Sequence, residues 1–169
     1  EMCIRDSNRT IQGIVPGIAE QGYQLLHITG RDKPVLTPDL RPLEAEGYRQ
    51  VEYVDGMEDG SAAADLLIAR AGAATVSEVA AVGLPAIFVP LPIGNGEQAL
   101  NARSLVEAGA ARLVEDSDFT SEWYRANVLP LLTAPEGLAE MTRAARGAGV
   151  RDADATMAEL ILQEARREH

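Results

Sequence analysis

The sequence predicts an α/β domain in which helices cover both faces of a doubly wound, mostly parallel β-sheet. Short apolar runs alternate with stretches of helical periodicity along most of the 169 residues, which is the pattern of successive β-α-β units. Gly83 and Pro85 predict the end of one helical stretch. Glycine accepts the left-handed conformation at a helix end, and a proline soon after it prevents the helix from resuming. A chain of this length can bury a core of its own.

The first part of the chain predicts one helix followed by a strand, a short helix and a second strand. An apolar stripe at helical spacing predicts the first helix over residues 8–21, although Pro16 and Gly17 weaken it. The segments that follow are a buried strand over 23–30, a short helix over 39–46 and an alternating strand over 48–54.

The second part continues the alternation and then becomes entirely helical. Beyond residue 119 the pattern predicts helices only. The last helix has an apolar face to bury, formed by Met157, Leu160, Ile161 and Glu164. The preceding segments are a short helix over 57–65, strands over 66–70, 85–90 and 110–115, and helices over 75–83 and 97–109.

Composition and charge exclude several function classes. Twenty-six acidic against fifteen basic residues give a net charge of -11, which disfavours nucleic acid and anionic lipid as partners. Cys3 is the only cysteine, so an internal disulfide and a cysteine zinc site are excluded and the cytoplasm is the expected compartment. No apolar run approaches the roughly 20 residues that span a bilayer, and no secretory signal is expected.

Polar groups follow the strand over 66–70 at the start of a helix. Thr75 and Glu78 fit a capping box, in which the threonine accepts from an early helix N–H and the glutamate reaches back. That interpretation leaves Gly72, Ala73 and Ala74 unexplained. Such small residues let a phosphate or ribose approach the helix N–H groups. Taken alone, the residues are compatible with either a cap or a ligand site.

A second polar group follows the next strand. A turn at residues 94–96 (Gly-Asn-Gly) precedes Gln98 and Asn101, which lie three apart on one helical face. In isolation this is also explained as a surface loop and a polar helix start. Because both groups follow successive strands of one parallel sheet, we expect them to converge at its carboxyl edge, where such sheets bind ligands.

Three segments of the chain carry a family resemblance: YVDGM at 53–57, RAGAATVSEVAAVGLPAIFVPLPIGNGEQALNA at 70–102 and AGAARLVEDSDF at 108–119. They resemble the MurG family, bacterial N-acetylglucosaminyltransferases of peptidoglycan synthesis, and the GNGEQ form looks like its actinobacterial branch. The resemblance implies the Rossmann-like C-terminal domain of a two-domain GT-B glycosyltransferase. It implies transfer of N-acetylglucosamine from UDP-N-acetylglucosamine to undecaprenyl-pyrophosphoryl-N-acetylmuramoyl-pentapeptide, which converts lipid I to lipid II.

The resemblance also implies which residues bind the donor, without a metal or cofactor. The main chain of Val54 would contact uracil, a role that its apolar side chain does not indicate. Glu78 would hold the ribose hydroxyls, and Gln98 would bind hydroxyls of the N-acetylglucosamine, with Arg70 beside the same pocket. The residues expected around the donor are Ala73, Ala74, Thr75, Val76, Ser77 and Glu78.

The chain departs from the family pattern at its beginning. The family has a glycine- and serine-rich phosphate loop before the helix that starts here near Asn8, whereas this chain has EMCIRDS, which looks like a translated sequencing adapter. We therefore expect residues 1–7 to be non-native, and residues 8–169 to form a UDP-sugar-binding domain with C-terminal helices and without its first strand.

The acceptor half of the reaction is expected outside this chain. The catalytic base, the lipid I contacts and the membrane contact would belong to the missing N-terminal domain, so this fragment alone is expected to be inactive. The full-length protein would be peripheral on the cytoplasmic face of the membrane.

Two alternatives remain from different classes. Another GT-B-type enzyme, such as a UDP-N-acetylglucosamine 2-epimerase, would share the sheet and the ribose carboxylate but use different sugar contacts. A non-catalytic α/β domain would use the same polar residues only as caps and loops. An NAD-dependent oxidoreductase is disfavoured, because no G-x-G-x-x-G follows a first strand.

Overall fold

Short parallel strands form the centre of the molecule. The computed structural model describes residues 2–149 and 153–167. Within those ranges β1 pairs only with β2, and β4 lies between β3 and β5 in a second sheet, with every pair parallel. The strands are β1 (Leu25–Ile28), β2 (Tyr48–Val51), β3 (Leu67–Ala69), β4 (Ala86–Phe88) and β5 (Ala111–Leu113).

A helix precedes β1, a helix follows each strand from β2 onwards, and helices continue beyond β5, as predicted. No helix in the described ranges combines the length and apolar character that crossing a bilayer requires. The first helix passes without a break through residues 2–7 and Asn8, so the expected non-native segment has no structural boundary and stays a prediction. The helices are α1 (Met2–Ile14), a 3-10 turn (Val15–Gly17), α2 (Ile18–Gln21), α3 (Met57–Ala63), α4 (Ala73–Val82), α5 (Glu97–Glu107), α6 (Ser121–Asn127), α7 (Leu129–Thr133), α8 (Pro135–Ala148) and α9 (Ala153–Arg167).

The doubly wound arrangement is confirmed by the two hydrophobic clusters on either side of β4. Ile87 and Val89 belong to a cluster built with α1, α6 and α7, whereas Ala86 and Phe88 belong to a cluster built with α4, α5 and α8. Successive strand residues point to opposite faces, and every residue of β4 is buried. Helices therefore cover both faces of this sheet, which is why its strand is apolar without alternation.

The predicted single sheet is divided in two. The N–H groups of Leu25 and Thr29 donate to carbonyls on the β2 side at 2.8 and 2.9 Å. Because N–H groups alternate between the two edges of a strand, those of Leu26 and Ile28 face the outer edge of β1. Leu67 likewise donates towards β4. In the described residues no strand pairs with the outer edge of β1 or of β3, and the missing first strand stays a prediction.

The prediction that β1 is a buried strand is wrong for one of its faces. Leu26 is 50% exposed and Ile28 is 38% exposed, and exposure alternates along the strand. The apolar run could not distinguish a strand covered on both faces from one covered on a single face, because both are rich in aliphatic residues. The side chains of Leu25 and His27 point the other way and are half-buried.

The inward face of β1 carries a neutral histidine held by two neighbours. His27 Nδ1 lies 3.0 Å from Tyr48 Oη, and Nε2 lies 3.0 Å from Asn8 Oδ1. Burial lowers the pKa of His27 to about 4, so the ring is uncharged near neutral pH and has one donor and one acceptor. The Tyr48 hydroxyl can then donate to Nδ1 while Nε2 donates to Asn8, which ties β1 to β2 and α1.

The predicted helix over 39–46 is wrong. The chain turns back there, with an antiparallel bridge between Leu36 and Pro42. Leu40 lies at the turn with φ of 59°, a left-handed conformation that interrupts any helix. Proline in such a segment removes a backbone donor, so a turn competes successfully with a short helix whose apolar face would bury little.

The last helix, α9, does not bury the face predicted for it. Met157 is 58% exposed and Ile161 is 61% exposed. The other two members of that face, Leu160 and Glu164, lie outside the described side chains. Helical spacing predicts that an apolar face exists but not what covers it, and this face remains open to solvent at the two positions that are described.

Candidate functional site

Helix α4 begins without a side-chain cap, directly after the carboxyl end of β3. Its N-cap is Gly72, and the Val76 N–H donates to the Gly72 carbonyl at 2.9 Å. The three preceding N–H groups, from Ala73 to Thr75, have no acceptor within the helix, as at every helix start. No acidic residue lies in the first turn. The positive end of the helix dipole is therefore available to an anion.

The predicted capping box at Thr75 and Glu78 is wrong. The helix begins at Ala73, so Thr75 lies inside the first turn, and no side chain caps the helix. Thr75 is too far along the helix to be its N-cap, so Glu78 does not accept from an N-cap N–H as a capping box requires. Within the described residues the Glu78 carboxylate is exposed and makes no hydrogen bond or ion pair, so it is available to a ligand.

The predicted donor residues on α4 differ in exposure, and Thr75 is half-buried. Ala73, Ala74, Ser77 and Glu78 are exposed. Val76 is only 7% exposed and packs in the cluster on the α4 side of the sheet. The side chain of Val76 therefore supports the helix from below, and the surface available to a ligand is made of small side chains and one carboxylate.

The loop after β4 carries Gln98 on the first turn of α5. The Gln98 Oε1 atom accepts from the Leu91 N–H at 3.0 Å. Its Nε2 group makes no hydrogen bond within the described residues and can donate two. Gly96 is the N-cap of α5 with φ of 75°, a conformation that favours glycine. One end of the Gln98 amide thus holds the loop, and the other is available to a hydroxyl group.

Arg70 joins the carboxyl ends of three strands. It follows β3, and its Nη1 donates to the Val89 carbonyl at 3.0 Å and to the Pro90 carbonyl at 3.3 Å, just after β4. The same nitrogen forms an ion pair with Asp116, which follows β5. Asp116 was not among the predicted site residues, although an acidic residue directly after a strand at this edge was a usable signal. Arg70 therefore lies at the carboxyl edge of the sheet and also holds together the segments that follow β4 and β5.

Val54 lies on a different part of the framework. It is half-buried in the loop after β2, three residues beyond the end of that strand, and β2 belongs to the two-stranded sheet. The N–H and C=O groups of Val54 make no hydrogen bond within the described residues and are available to a base edge. That Val54 forms a single binding surface with Glu78 and Gln98 stays a prediction.

An open cleft lies beside the ion pair of Arg70, at the ends of β4 and β5. It measures about 430 Å³ and is lined by α1 and the loops that include Pro92 and Asp116. None of the predicted donor residues lines it. In the part of the chain that the structure describes, no three His, Cys, Asp or Glu side chains are grouped as a metal ion would require.

Comparisons with known sequences agree on one family. The model of the glycosyltransferase family 28 C-terminal domain matches residues 4–157. The chain is 59% identical over 156 residues to the UDP-N-acetylglucosamine--N-acetylmuramyl-(pentapeptide) pyrophosphoryl-undecaprenol N-acetylglucosamine transferase of Paenarthrobacter aurescens, across 92% of this chain and 42% of the relative. The protein of the same name from Streptomyces coelicolor is 46% identical over 160 residues, across 94% and 43%. The chain thus spans less than half the length of these relatives.

Comparisons with solved structures agree on the fold. The crystal structure of Acinetobacter baumannii MurG superposes with a TM-score of 0.73 at 28% identity, over 91% of this chain and 46% of that one. The glycosyltransferase of kitacinnamycin superposes with a TM-score of 0.63 at 22% identity, over 89% and 38%. The second similarity is one of fold alone.

Proposed function

Because this chain belongs to the glycosyltransferase family 28 C-terminal domains, with the Rossmann-like fold of GT-B enzymes, we propose that its carboxyl edge binds UDP-N-acetylglucosamine. The observation that carries the proposal is the uncapped start of α4, where small side chains and unbonded N–H groups lie beside the exposed Glu78 carboxylate. A nucleoside diphosphate sugar requires donors for its anionic diphosphate, an acceptor for its ribose hydroxyls and small side chains that allow it to approach the backbone closely.

We assign to each part of the donor a chemically matched group of this chain. The diphosphate lies against the N–H groups at the start of α4, where the helix dipole favours negative charge. The ribose hydroxyls donate to Glu78, and the Gln98 Nε2 group donates to hydroxyls of the sugar. The main chain of Val54 contacts the uracil edge. Arg70 would lie beside the sugar diphosphate, and its contacts with the loops after β4 and β5 support this assignment.

We extend the proposal to the reaction of the longer protein. A hydroxyl of the acceptor attacks the anomeric carbon as the bond to UDP breaks, which inverts the configuration. Negative charge then develops on the departing diphosphate, and the start of α4 stabilises it. A general base elsewhere in the longer protein takes the proton of the hydroxyl. The names of the relatives support N-acetylmuramyl-(pentapeptide) pyrophosphoryl-undecaprenol as the acceptor, and this lipid would place the enzyme on the cytoplasmic face of the membrane.

The alternatives differ in what they predict for the sugar. Membership of a glycosyltransferase family favours an enzyme domain over a non-catalytic one. A related enzyme that uses another nucleotide sugar would retain the ribose carboxylate but not a preference for the N-acetyl group. Comparing UDP-N-acetylglucosamine with UDP-glucose in the same titration separates these cases, and tighter binding of the N-acetylated sugar is expected.

The main test is calorimetric titration of Glu78→Gln with UDP-N-acetylglucosamine. Loss of a charged acceptor costs about 1.5 to 3 kcal/mol, or roughly 10- to 150-fold in Kd. Glu136→Gln is the matched control, because Glu136 is an exposed glutamate on α8, away from this edge, and its Kd should match the wild type. Failure of the wild-type chain to bind the donor would overturn the proposal. Equal binding by Glu78→Gln and the wild type would show that Glu78 does not bind the ribose.

A further inference from the structure

Asn101 contacts the loop that precedes α4, although it lies on α5. Its Nδ2 atom donates to the Ala71 carbonyl at 3.1 Å. Ala71 is fully buried, and the next residue, Gly72, is the N-cap of α4. A buried carbonyl that loses its donor is costly to leave unpaired. The position of the α4 start therefore depends on a side chain from the neighbouring helix.

Helix α5 holds both loops of the site through two amide side chains. Gln98 and Asn101 lie three apart, hence on one helical face. Gln98 accepts from the Leu91 N–H in the loop after β4, and Asn101 donates to the Ala71 carbonyl in the loop after β3. These two contacts fix the distance between the α4 N–H groups and the Gln98 amide, which would bind opposite ends of the sugar diphosphate.

We propose that Asn101 is a positioning residue that aligns the start of α4 for the diphosphate, without contacting the ligand itself. The identity of the ligand rests on the proposed function, whereas the coupling between Asn101 and α4 is independent of it. Uridine lacks the diphosphate and would not use the α4 N–H groups. Loss of the Asn101 donor should therefore weaken binding of UDP far more than binding of uridine.

The test compares UDP and uridine binding to Asn101→Ala by calorimetry. The Kd for UDP should rise roughly tenfold, equivalent to one charge-assisted hydrogen bond, while the Kd for uridine stays within about twofold. A variant that is only partly unfolded would lose both affinities equally. Asn127→Ala is the matched control, because Asn127 Nδ2 donates to the Trp123 carbonyl at 3.0 Å within α6, and its UDP-to-uridine ratio should be that of the wild type.

Hydrogen exchange tests the same coupling without a ligand. The Val76 N–H, bonded to the Gly72 carbonyl, should exchange faster in Asn101→Ala, whereas the Gly83 N–H at the far end of α4, bonded to Val79, should not change. Asn101→Asp, which has the same shape without the donor, provides this comparison if the alanine variant does not fold.

The outcomes separate the two proposals. An unchanged UDP-to-uridine ratio in a folded variant, or unchanged exchange at Val76, overturns the positioning role of Asn101. If the wild-type chain binds neither UDP nor uridine, the proposed function fails, and the exchange of Val76 alone decides whether Asn101 positions α4.

Discussion

At the scale of single residues, the role of Glu78 depends on where α4 begins. Had the helix started after Thr75, this carboxylate would have served its own backbone. The structure starts the helix at Ala73 and leaves Glu78 exposed, without a partner in the described residues. A cap at Gly72 supplies no side-chain acceptor, so the first N–H groups of α4 stay available. Thr75 and Glu78 therefore do not cap the helix, and the Glu78 carboxylate is available to a ligand.

This difference between a helix residue and a true cap can be measured by paired substitutions. Thr75→Ala should change the free energy of unfolding by less than about 0.5 kcal/mol, because its hydroxyl caps nothing. Thr120→Ala should cost about 1 kcal/mol, because Thr120 Oγ1 accepts from the Trp123 N–H at 3.1 Å as the N-cap of α6. Urea unfolding of both variants checks this. Equal losses of unfolding free energy in the two variants would show that Thr75 caps α4 after all.

At the scale of elements, α4 is held in place from behind by the end of α8. Gly149 follows α8, and a Cβ atom there would clash with the Ala80 carbonyl oxygen of α4. The contact is with backbone, which cannot rotate away as a side chain does. Glycine is thus required by close approach of two helices. The α8 contact supports the helix whose first turn forms the proposed diphosphate site.

Substituting this glycine should separate the two helices. Gly149→Ala should reduce the free energy of unfolding by about 1 to 3 kcal/mol, the usual cost of overpacking. Gly147→Ala is the control within α8, because a Cβ there meets nothing within 4 Å, and alanine should add about 0.5 to 1 kcal/mol through helix propensity. Thermal or urea unfolding measures both. A neutral Gly149→Ala would show that α8 can shift without cost.

At the scale of the whole molecule, both sheets have unpaired outer edges within the described residues. The outer edges of β1 and β3 carry no described strand, and β1 also presents the partly exposed Leu26 and Ile28. Both sheets nevertheless contribute to one cluster, in which Tyr48 of β2 and Ile87 of β4 are buried under α1 and α6. Unpaired edges with apolar side chains attract other strands.

We therefore expect this chain to associate as its concentration rises. Leu26→Lys should reduce association, because a charge on an edge strand opposes pairing with another chain. Leu40→Lys is the control, since Leu40 is 79% exposed at a turn between β1 and β2 rather than on a strand. Sedimentation velocity across a concentration series checks the expectation. A wild-type chain that remains monomeric at high concentration contradicts it.

The resemblance carried by the quoted motifs identified the family and predicted which residues bind the donor. The contacts that join the loops at the carboxyl edge came only from the tertiary structure. Arg70 and Asp116 are 46 residues apart, and Asn101 and Ala71 are 30 apart. Nothing in the local pattern around Asp116 or Ala71 identifies the partner. The helix start at Ala73 was also missed, because Thr75 and Glu78 satisfied a local rule that the backbone did not use.

Periodicity in the sequence was sufficient to determine the five strands, the alternation of helices and strands from β2 onwards, the helix end at Gly83 with φ of 75°, and helices on both faces of the sheet. These features depend on burial within a few residues. Only the tertiary structure decided the division into two sheets and the contacts that join the loops after β3, β4 and β5. Such contacts form between residues distant in sequence, whose meeting depends on how whole elements pack and not on the pattern within any of them.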